Sequence, residues 1–366
     1  MGENTADMSR DEVEIRPDEP ITTMGDHTVD PDDVYALHDW PTDIEGADEP
    51  VTVAVMDSGI HEDAVAAHPW FSEAAVVDRY DATGAGTGGD EVGHGTGCAS
   101  LIAKAATNAN DTLDTDVPRV QFYDVRIFGD SGRAEMSTIL DAYEYLLEHA
   151  DDIDIVNMSW GAQRDISTIN EPHEKLIAAS VVDTVAAGNT GSDGGSPATA
   201  SGAFSVGALT EDGEPTRFSS FNPDKGNPDV AAAGKDIKMA RAPDTSMGDP
   251  LGDDFVKASG TSFASPLTAS GYVLAHHQQA SSWDKRLMGT ARDIPGTPKD
   301  GAGVLKLGAA LDGRKPDSPD PSVDAQAWGF ARGEVVYLGA DWIPDDTSEA
   351  VLREESKRGA TIEFRE

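Results

Sequence analysis

Three short stretches carry side chains that could together move a proton and attack a carbonyl carbon. Val51-Thr52-Val53-Ala54-Val55-Met56-Asp57 is an apolar, β-branched run that ends on a carboxylate. Gly93-His94-Gly95-Thr96-Gly97-Cys98-Ala99 puts an imidazole at the tight start of an apolar helix. Gly260-Thr261-Ser262-Phe263-Ala264-Ser265-Pro266 puts a serine among small residues at the start of another. A serine hydroxyl is a weak nucleophile until a neighbouring base takes its proton. Histidine suits that task near neutral pH, and a carboxylate fixes its tautomer and stabilises its charged form. Unpaired backbone N–H groups cluster at a helix start and favour developing negative charge, so a nucleophile is well placed there. Pro266 is expected in the first helical turn, where its missing N–H costs little. Singly, each stretch could be a capped turn, a satisfied buried histidine or an ordinary helix start. The chemistry lies in their joint occurrence in the order Asp57, His94, Ser262.

The elements that must position these groups follow from the pattern of the chain. Short apolar runs predict strands at Val51–Met56, Val120–Ile127, Ile153–Met158, Val181–Ala186 and Phe204–Leu209. Helical patterns cover Thr96–Ala106, Ser137–His149, Pro172–Ser180 and Thr261–His277. Alternation of the two predicts an α/β fold, a three-layer sandwich with a central, mostly parallel sheet and helices on both faces. Sites in such folds lie at the carboxyl ends of the strands. Asp57 directly follows one strand there, and Ser159 and Asn189 closely follow two others. Residues 1–30 read as an acidic N-terminal extension, 31–313 as the main domain, and 314–366 as a linker and small C-terminal extension. That last part is expected to form strands at Glu334–Leu338 and Thr361–Phe364 with a helix at Ser348–Arg358.

Composition narrows the setting. The 366 residues include 67 acidic and 27 basic side chains, a formal net charge of −40. Such a field repels nucleic acid and anionic membrane surfaces, so neither is expected as a partner. It also self-repels unless cations screen it, which reads as adaptation to molar salt of the haloarchaeal kind. One cysteine, Cys98, excludes an intramolecular disulfide framework. No stretch is apolar enough to span a bilayer, and the first residues lack an apolar leader segment, so the expected location is the cytoplasm.

With these motifs in view, the chain resembles a subtilisin-like serine protease over roughly residues 31–313. Further stretches carry the likeness: Ile155-Val156-Asn157-Met158-Ser159-Trp160-Gly161, Ala186-Ala187-Gly188-Asn189, Ala203–Ala208, Thr216–Phe221 and Asp229–Gly234. The resemblance implies that Ser262 attacks the peptide carbonyl, His94 serves as base and then acid, and Asp57 orients His94. It implies that Asn189 donates its amide to the oxyanion beside the Ser262 N–H. Ser159, Trp160 and Gly161 would pair with substrate as an added strand, and Ala186, Ala187 and Gly188 would wall the specificity pocket. Protein or peptide substrates are implied, with no cofactor required for the chemistry. Structural calcium is an open possibility in the oxygen-rich run Asn108–Asp116, without assigned ligands.

The plan is closest to intracellular subtilisins, whose short N-terminal extension can cover the cleft, a part Glu14–Met24 could play. Departures from many relatives fall at Gly97, where a second histidine is common, and at Leu267-Thr268. Both bear on cleft shape rather than proton transfer. Gly84–Gly89 formally satisfies a G-x-G-x-x-G pattern but opens no helix, and reads as a mobile loop at the cleft rim. Cys98 reads as a small buried helix residue near the histidine. Small residues at Gly194–Gly202 and the lack of an acid in the pocket walls favour an apolar or aromatic residue before the cut bond. Two rivals share the motifs. One is a catalytically silent scaffold on a protease fold, with a cleft blocked by an extension; the other is a maturation protease with one target.

Overall fold

The computed structural model describes residues 16–17, 28–40, 50–107, 119–277, 283–294, 297–312, 336–339 and 362–365. In chain order these form β1 (Arg16–Pro17), α1 (Pro31–Leu37), β2 (Val51–Asp57), α2 (Glu62–Ala67), β3 (Ala74–Asp81), α3 (His94–Thr107), β4 (Val120–Arg126) and α4 (Met136–Glu148). Then come β5 (Ile155–Met158), β6 (Trp160–Gly161), α5 (Ser167–Ala178), β7 (Val182–Ala186), β8 (Ser205–Leu209) and β9 (Val230–Ala233). The remainder is β10 (Ile237–Ala240), β11 (Asp249–Pro250), β12 (Phe255–Ala258), α6 (Thr261–His277), α7 (Trp283–Thr290), α8 (Leu307–Asp312), β13 (Val336–Gly339) and β14 (Ile362–Arg365).

Seven strands form the central sheet in the order β3-β4-β2-β5-β7-β8-β9, and every pairing in it is parallel. Its inner strands are apolar on both faces, as a doubly covered sheet requires. On one face α3 and α6 pack together, with Cys98, Leu101, Phe263, Leu267 and Leu274 against Val206 and Ala208. On the other, α4 and α5 bury Ile139, Tyr143, Leu146, Ile169 and Leu176 against Val125, Val156 and Val185. The spacing of Ile139, Ala142, Tyr143 and Leu146 is that of one helix stripe. The sheet therefore carries helices on both sides, the expected three-layer α/β arrangement. Among the described residues, no helix is long and apolar enough to cross a membrane.

Several boundaries differ from expectation. Val29 is buried and bridges Ile237, and Asp30 caps α1 through a reciprocal capping box, so both belong to the body of the fold rather than to the extension. Pro172 does not start α5; it lies inside a helix that begins at Ser167. Pro266 likewise lies beyond the first turn of α6, with consequences at the site below. The edge strand β3 was not expected from the sequence, because its residues are only partly buried and end on Asp78-Arg79-Tyr80-Asp81. The glycine-rich loop after β3 is tied down: Asp81 accepts from the Gly86 N–H at 2.5 Å and Arg126 donates to the Gly86 carbonyl at 3.1 Å. In the C-terminal part, β13 and β14 pair in parallel. The expected helix at 348–358 and the oxygen-rich run 108–116 lie outside the described residues.

Candidate active site

The parallel sheet brings the ends of β2, β5 and β7 to one edge, where α3 and α6 also begin. Asp57, the last residue of β2, is fully buried. Its Oδ1 accepts from the Ser58 N–H at 2.7 Å, and its two oxygens lie 2.9 and 3.0 Å from His94 Nδ1. A nitrogen held between two carboxylate oxygens carries the proton, which leaves Nε2 as the basic nitrogen. His94 opens α3, fully buried, with its ring 5.7 Å from that of Phe263. Burial opposes its charged form, but Asp57 overrides this and holds the imidazole well above its ordinary value. The neighbouring Cys98 adds no full charge, because burial pushes its thiol up.

Ser262 is the second residue of α6 and is buried. Its carbonyl would ordinarily accept from the N–H four residues on, but that residue is Pro266, which has none. The carbonyl is satisfied from outside the helix instead. Ser159 Oγ donates to it at 2.8 Å and Cys98 Sγ lies 3.4 Å away. Asn157 extends the clamp, donating to Ser159 Oγ at 2.9 Å and accepting from Ser265 Oγ at 2.8 Å. The Ser262 hydroxyl donates to the Ser159 carbonyl at 3.1 Å, and His94 Nε2 is buried without a hydrogen-bond partner. His94 and Ser262 thus share one buried site, linked by Cys98 Sγ, which lies 3.9 Å from His94 Nδ1 and meets the Ser262 carbonyl. The Ser262 hydroxyl is not bonded to His94.

Asn189 follows β7 across from them. Its Oδ1 accepts from the Thr261 N–H at 2.9 Å and from the Thr261 hydroxyl at 3.1 Å. Those two donors fix the amide orientation and leave Nδ2 as a buried donor with no partner. The same Thr261 hydroxyl accepts from the Gly188 N–H at 3.0 Å, locking the loop to the start of α6. A Cβ on Gly260 would come within 3.1 Å of Asn189 Nδ2, so the glycine leaves that donor room.

These positions sit within a stretch, residues 48–300, that matches the model of the subtilase family. The chain belongs to the subtilase family. It is 28% identical over 250 residues to serine protease AprX of Bacillus subtilis, an alignment covering 60% of this chain and 55% of AprX. It is 29% identical over 249 residues to an intracellular serine protease of Paenibacillus polymyxa, covering 65% of this chain and 70% of that one. A lanthipeptide protease shares the fold with a TM-score of 0.59 at 17% identity, over 72% of this chain and 87% of its own.

Other positions of this subtilase fall as follows. Trp160 does not face the cleft: its side chain is fully buried, edge-on to Phe128 and Tyr143, so only its backbone can meet a peptide. That backbone is already paired. β1 runs antiparallel to β6, with Arg16 opposite Gly161 and Pro17 opposite Trp160. Ala186 and Ala187 are buried and Gly188 is part-buried on the β7 side. Among the described residues, Asp57, His94 and Cys98 are the one group whose ligand atoms cluster tightly enough for a metal, within 4.8 Å. The direct His94–Asp57 hydrogen bond accounts for that closeness. Sequence reasoning passed over Asp90, Ser58, Asn157 and Thr261. Asp90 had a readable signal, an acid just ahead of a helix start.

Proposed function

We propose that this chain is a serine endopeptidase working through an acyl-enzyme. The observation that carries the reading is a pair of buried, unpartnered groups, His94 Nε2 and Asn189 Nδ2, at the site that holds Ser262. Other buried groups of the described residues also lack a partner, but these two lie on either side of one serine hydroxyl, and it is that convergence that supports a place for a reacting molecule. In the proposed reaction, the Ser262 hydroxyl swings from the Ser159 carbonyl to Nε2. Its Oγ attacks the peptide carbonyl carbon as its proton passes to Nε2, and the carbonyl π pair becomes the oxyanion. Asn189 Nδ2 and the Ser262 N–H receive that charge. Asp57 stabilises the imidazolium, which then protonates the leaving amine as the C–N bond breaks. Water repeats the sequence to release the acid, and no cofactor takes part. Backbone of Ser159–Gly161 pairs with the substrate strand, and the acid-free walls at Ala186–Gly188 favour an apolar side chain before the cut bond.

The test is labelling with a fluorophosphonate in molar KCl, read by intact mass beside Ser262→Ala. One adduct on wild type and none on the variant is expected; full peptidase activity in Ser262→Ala would sink the assignment.

The β1–β6 pairing favours one refinement. The backbone edge that a substrate needs is occupied by residues 16–17 of the same chain, so the resting enzyme is self-covered. Weak labelling that rises once residues 1–27 are removed supports it. Labelling absent from both forms supports a silent scaffold instead. The charge of −40 is proposed to reflect a cytoplasm rich in salt, tested by a melting temperature that rises from 0.1 to 2 M KCl, conditions chosen around the screening length at about 0.1 M and above.

A further inference from the structure

Asp90 is a buried carboxylate that the proposed chemistry does not use, four residues ahead of His94. Its Oδ1 accepts from the Gly93 N–H at 2.7 Å and from the Ser58 hydroxyl at 2.8 Å. Its Oδ2 accepts from the Thr96 N–H at 2.9 Å and the Thr96 hydroxyl at 2.7 Å. Three of these four donors belong to the start of α3, where helical N–H groups lack partners. The fourth is the residue after Asp57. Ser58 closes the link from its own side: its hydroxyl accepts from the Gly95 N–H at 2.9 Å while its N–H holds Asp57 Oδ1. The two elements touch so closely that a Cβ on Gly95 would lie 2.3 Å from the Gly59 carbonyl and 3.1 Å from Asp57 Cβ.

We infer that Asp90 and Ser58 form a brace that sets the distance and angle between Asp57 and His94. Asp90 is thus a positioning residue for the base, acting through the backbone on either side of it. The inference rests on the reading of Asp57 and His94 as orienting acid and base. Apart from the braced pair, Asp57 packs against the end of β4, where its carbonyl accepts from the Ile127 N–H at 2.7 Å, and that bond does not reach His94. The ties next to Asp57 and His94 run through Ser58 and Asp90, and a further one, the His61 N–H donating to the Thr96 hydroxyl at 3.0 Å, joins the two segments farther from the pair. Losing the brace frees the imidazole to drift, and misplacement by about 1 Å costs on the order of 10²-fold in rate.

The test compares wild type, Asp90→Asn, Ser58→Ala and Ser205→Ala as full-length chains. Ser205 donates to Asp229 at 3.0 Å in the core and serves as a control for the loss of a buried hydrogen bond. The first readout is the NMR signal of the His94 Nδ1 proton and the titration of the His94 ring, neither of which needs turnover. The second is kcat and KM on a chromogenic peptide anilide. Expected in Asp90→Asn is an upfield-shifted or exchange-broadened Nδ1 proton, a His94 titration displaced to lower pH, and kcat down about 10–100-fold with KM within about 2-fold. Ser58→Ala should move the same signals less, and Ser205→Ala should move none of them at an equal loss of melting temperature. Should Asp90→Asn not fold, Ser58→Ala, one hydroxyl smaller, decides. An unmoved His94 proton and titration in folded brace variants would overturn the inference. Wild type as inactive as Ser262→Ala both before and after removal of residues 1–27 would overturn the peptidase reading, while the His94 spectra would still decide the brace.

Discussion

The two ends of the Asn189 side chain have separate surroundings, and two substitutions should separate the duties proposed for them. Oδ1 accepts two hydrogen bonds from Thr261 in the resting structure, whereas Nδ2 has no partner. Asn189→Ala removes both ends. Its loss of Oδ1 strands a buried N–H, since the Thr261 hydroxyl can turn elsewhere but the backbone cannot, at about 1–2 kcal/mol of stability. For a domain of this size that lowers the melting temperature by a few degrees, at about 2–4 °C per kcal/mol. Its loss of Nδ2 breaks no ground-state bond, so the damage falls on the transition state. There the expected fall in kcat is about 10²–10³, or about 3–4 kcal/mol, a magnitude carried over from subtilisin, where one such donor is worth that much. Asn189→Asp keeps an oxygen for Thr261 but turns the donor into a second acceptor facing the oxyanion. Its melting temperature should fall near neutral pH, because an unpaired carboxylate oxygen is buried where Nδ2 was, and recover as the carboxyl is neutralised at lower pH; its kcat should fall at least as far as that of the alanine variant. The assay is thermal unfolding beside steady-state hydrolysis of a peptide anilide. Unchanged kcat in Asn189→Ala would refute the oxyanion role. A melting temperature of Asn189→Ala equal to that of wild type would refute the Thr261 clamp.

Removing residues 1–27 leaves Val29 and the Asp30 cap of α1 in place but deletes β1; apparent KM should fall about ten-fold, as expected when a tethered competitor at roughly millimolar effective concentration is lost. An unchanged KM would mean that β1 does not compete with substrate. In the proposed reaction the neutral imidazole is the base, so kcat/KM should fall as pH drops through the raised His94 value, with its midpoint above about 6.5. The stabilising effect of the charged His94–Asp57 pair runs oppositely, complete below about pH 6.5 and lost as pH rises through that raised value. His38 is buried and neutral, its Nδ1 donating to the Leu305 carbonyl at 2.9 Å and its Nε2 accepting from the Ala233 N–H at 3.0 Å. Burial pushes it down to about 4, so the unfolded chain binds the extra proton and stability drains as pH falls from about 6.5 toward 4. That is about 3 kcal/mol, and His38→Gln should lose less melting temperature than wild type over the same acid range.

The residues proposed to react could be singled out in the sequence because each lies in a local context that one motif can specify. Asp57 ends a buried strand, His94 and Ser262 open helices, and Asn189 follows a strand by three residues. What supports them was harder to read, since it depends on pairs distant in sequence. Nothing local to Ser159 says that its hydroxyl turns toward the Ser262 carbonyl. Nothing local to Trp160 says that its ring packs on Phe128 and Tyr143 behind the sheet rather than in the cleft. Arg16-Pro17 carries no strand signal of its own, and its pairing comes from the free edge of β6.

Proline shows how a local rule misleads and then explains. A missing N–H is harmless in a first helical turn, which is where the sequence predicts Pro266, and Pro172 is the first residue of another predicted helix. Both lie deeper inside helices. At Pro266 the missing N–H leaves the Ser262 carbonyl free of the helix, and Ser159 and Cys98 take it up. The gap in α6 thereby ties the start of the helix to the end of β5 on one side and to α3 on the other. One residue that weakens a helix locally thus fixes the backbone of Ser262 between the strand proposed to meet substrate and the helix that carries His94. Position 266 is where that coupling enters the sequence.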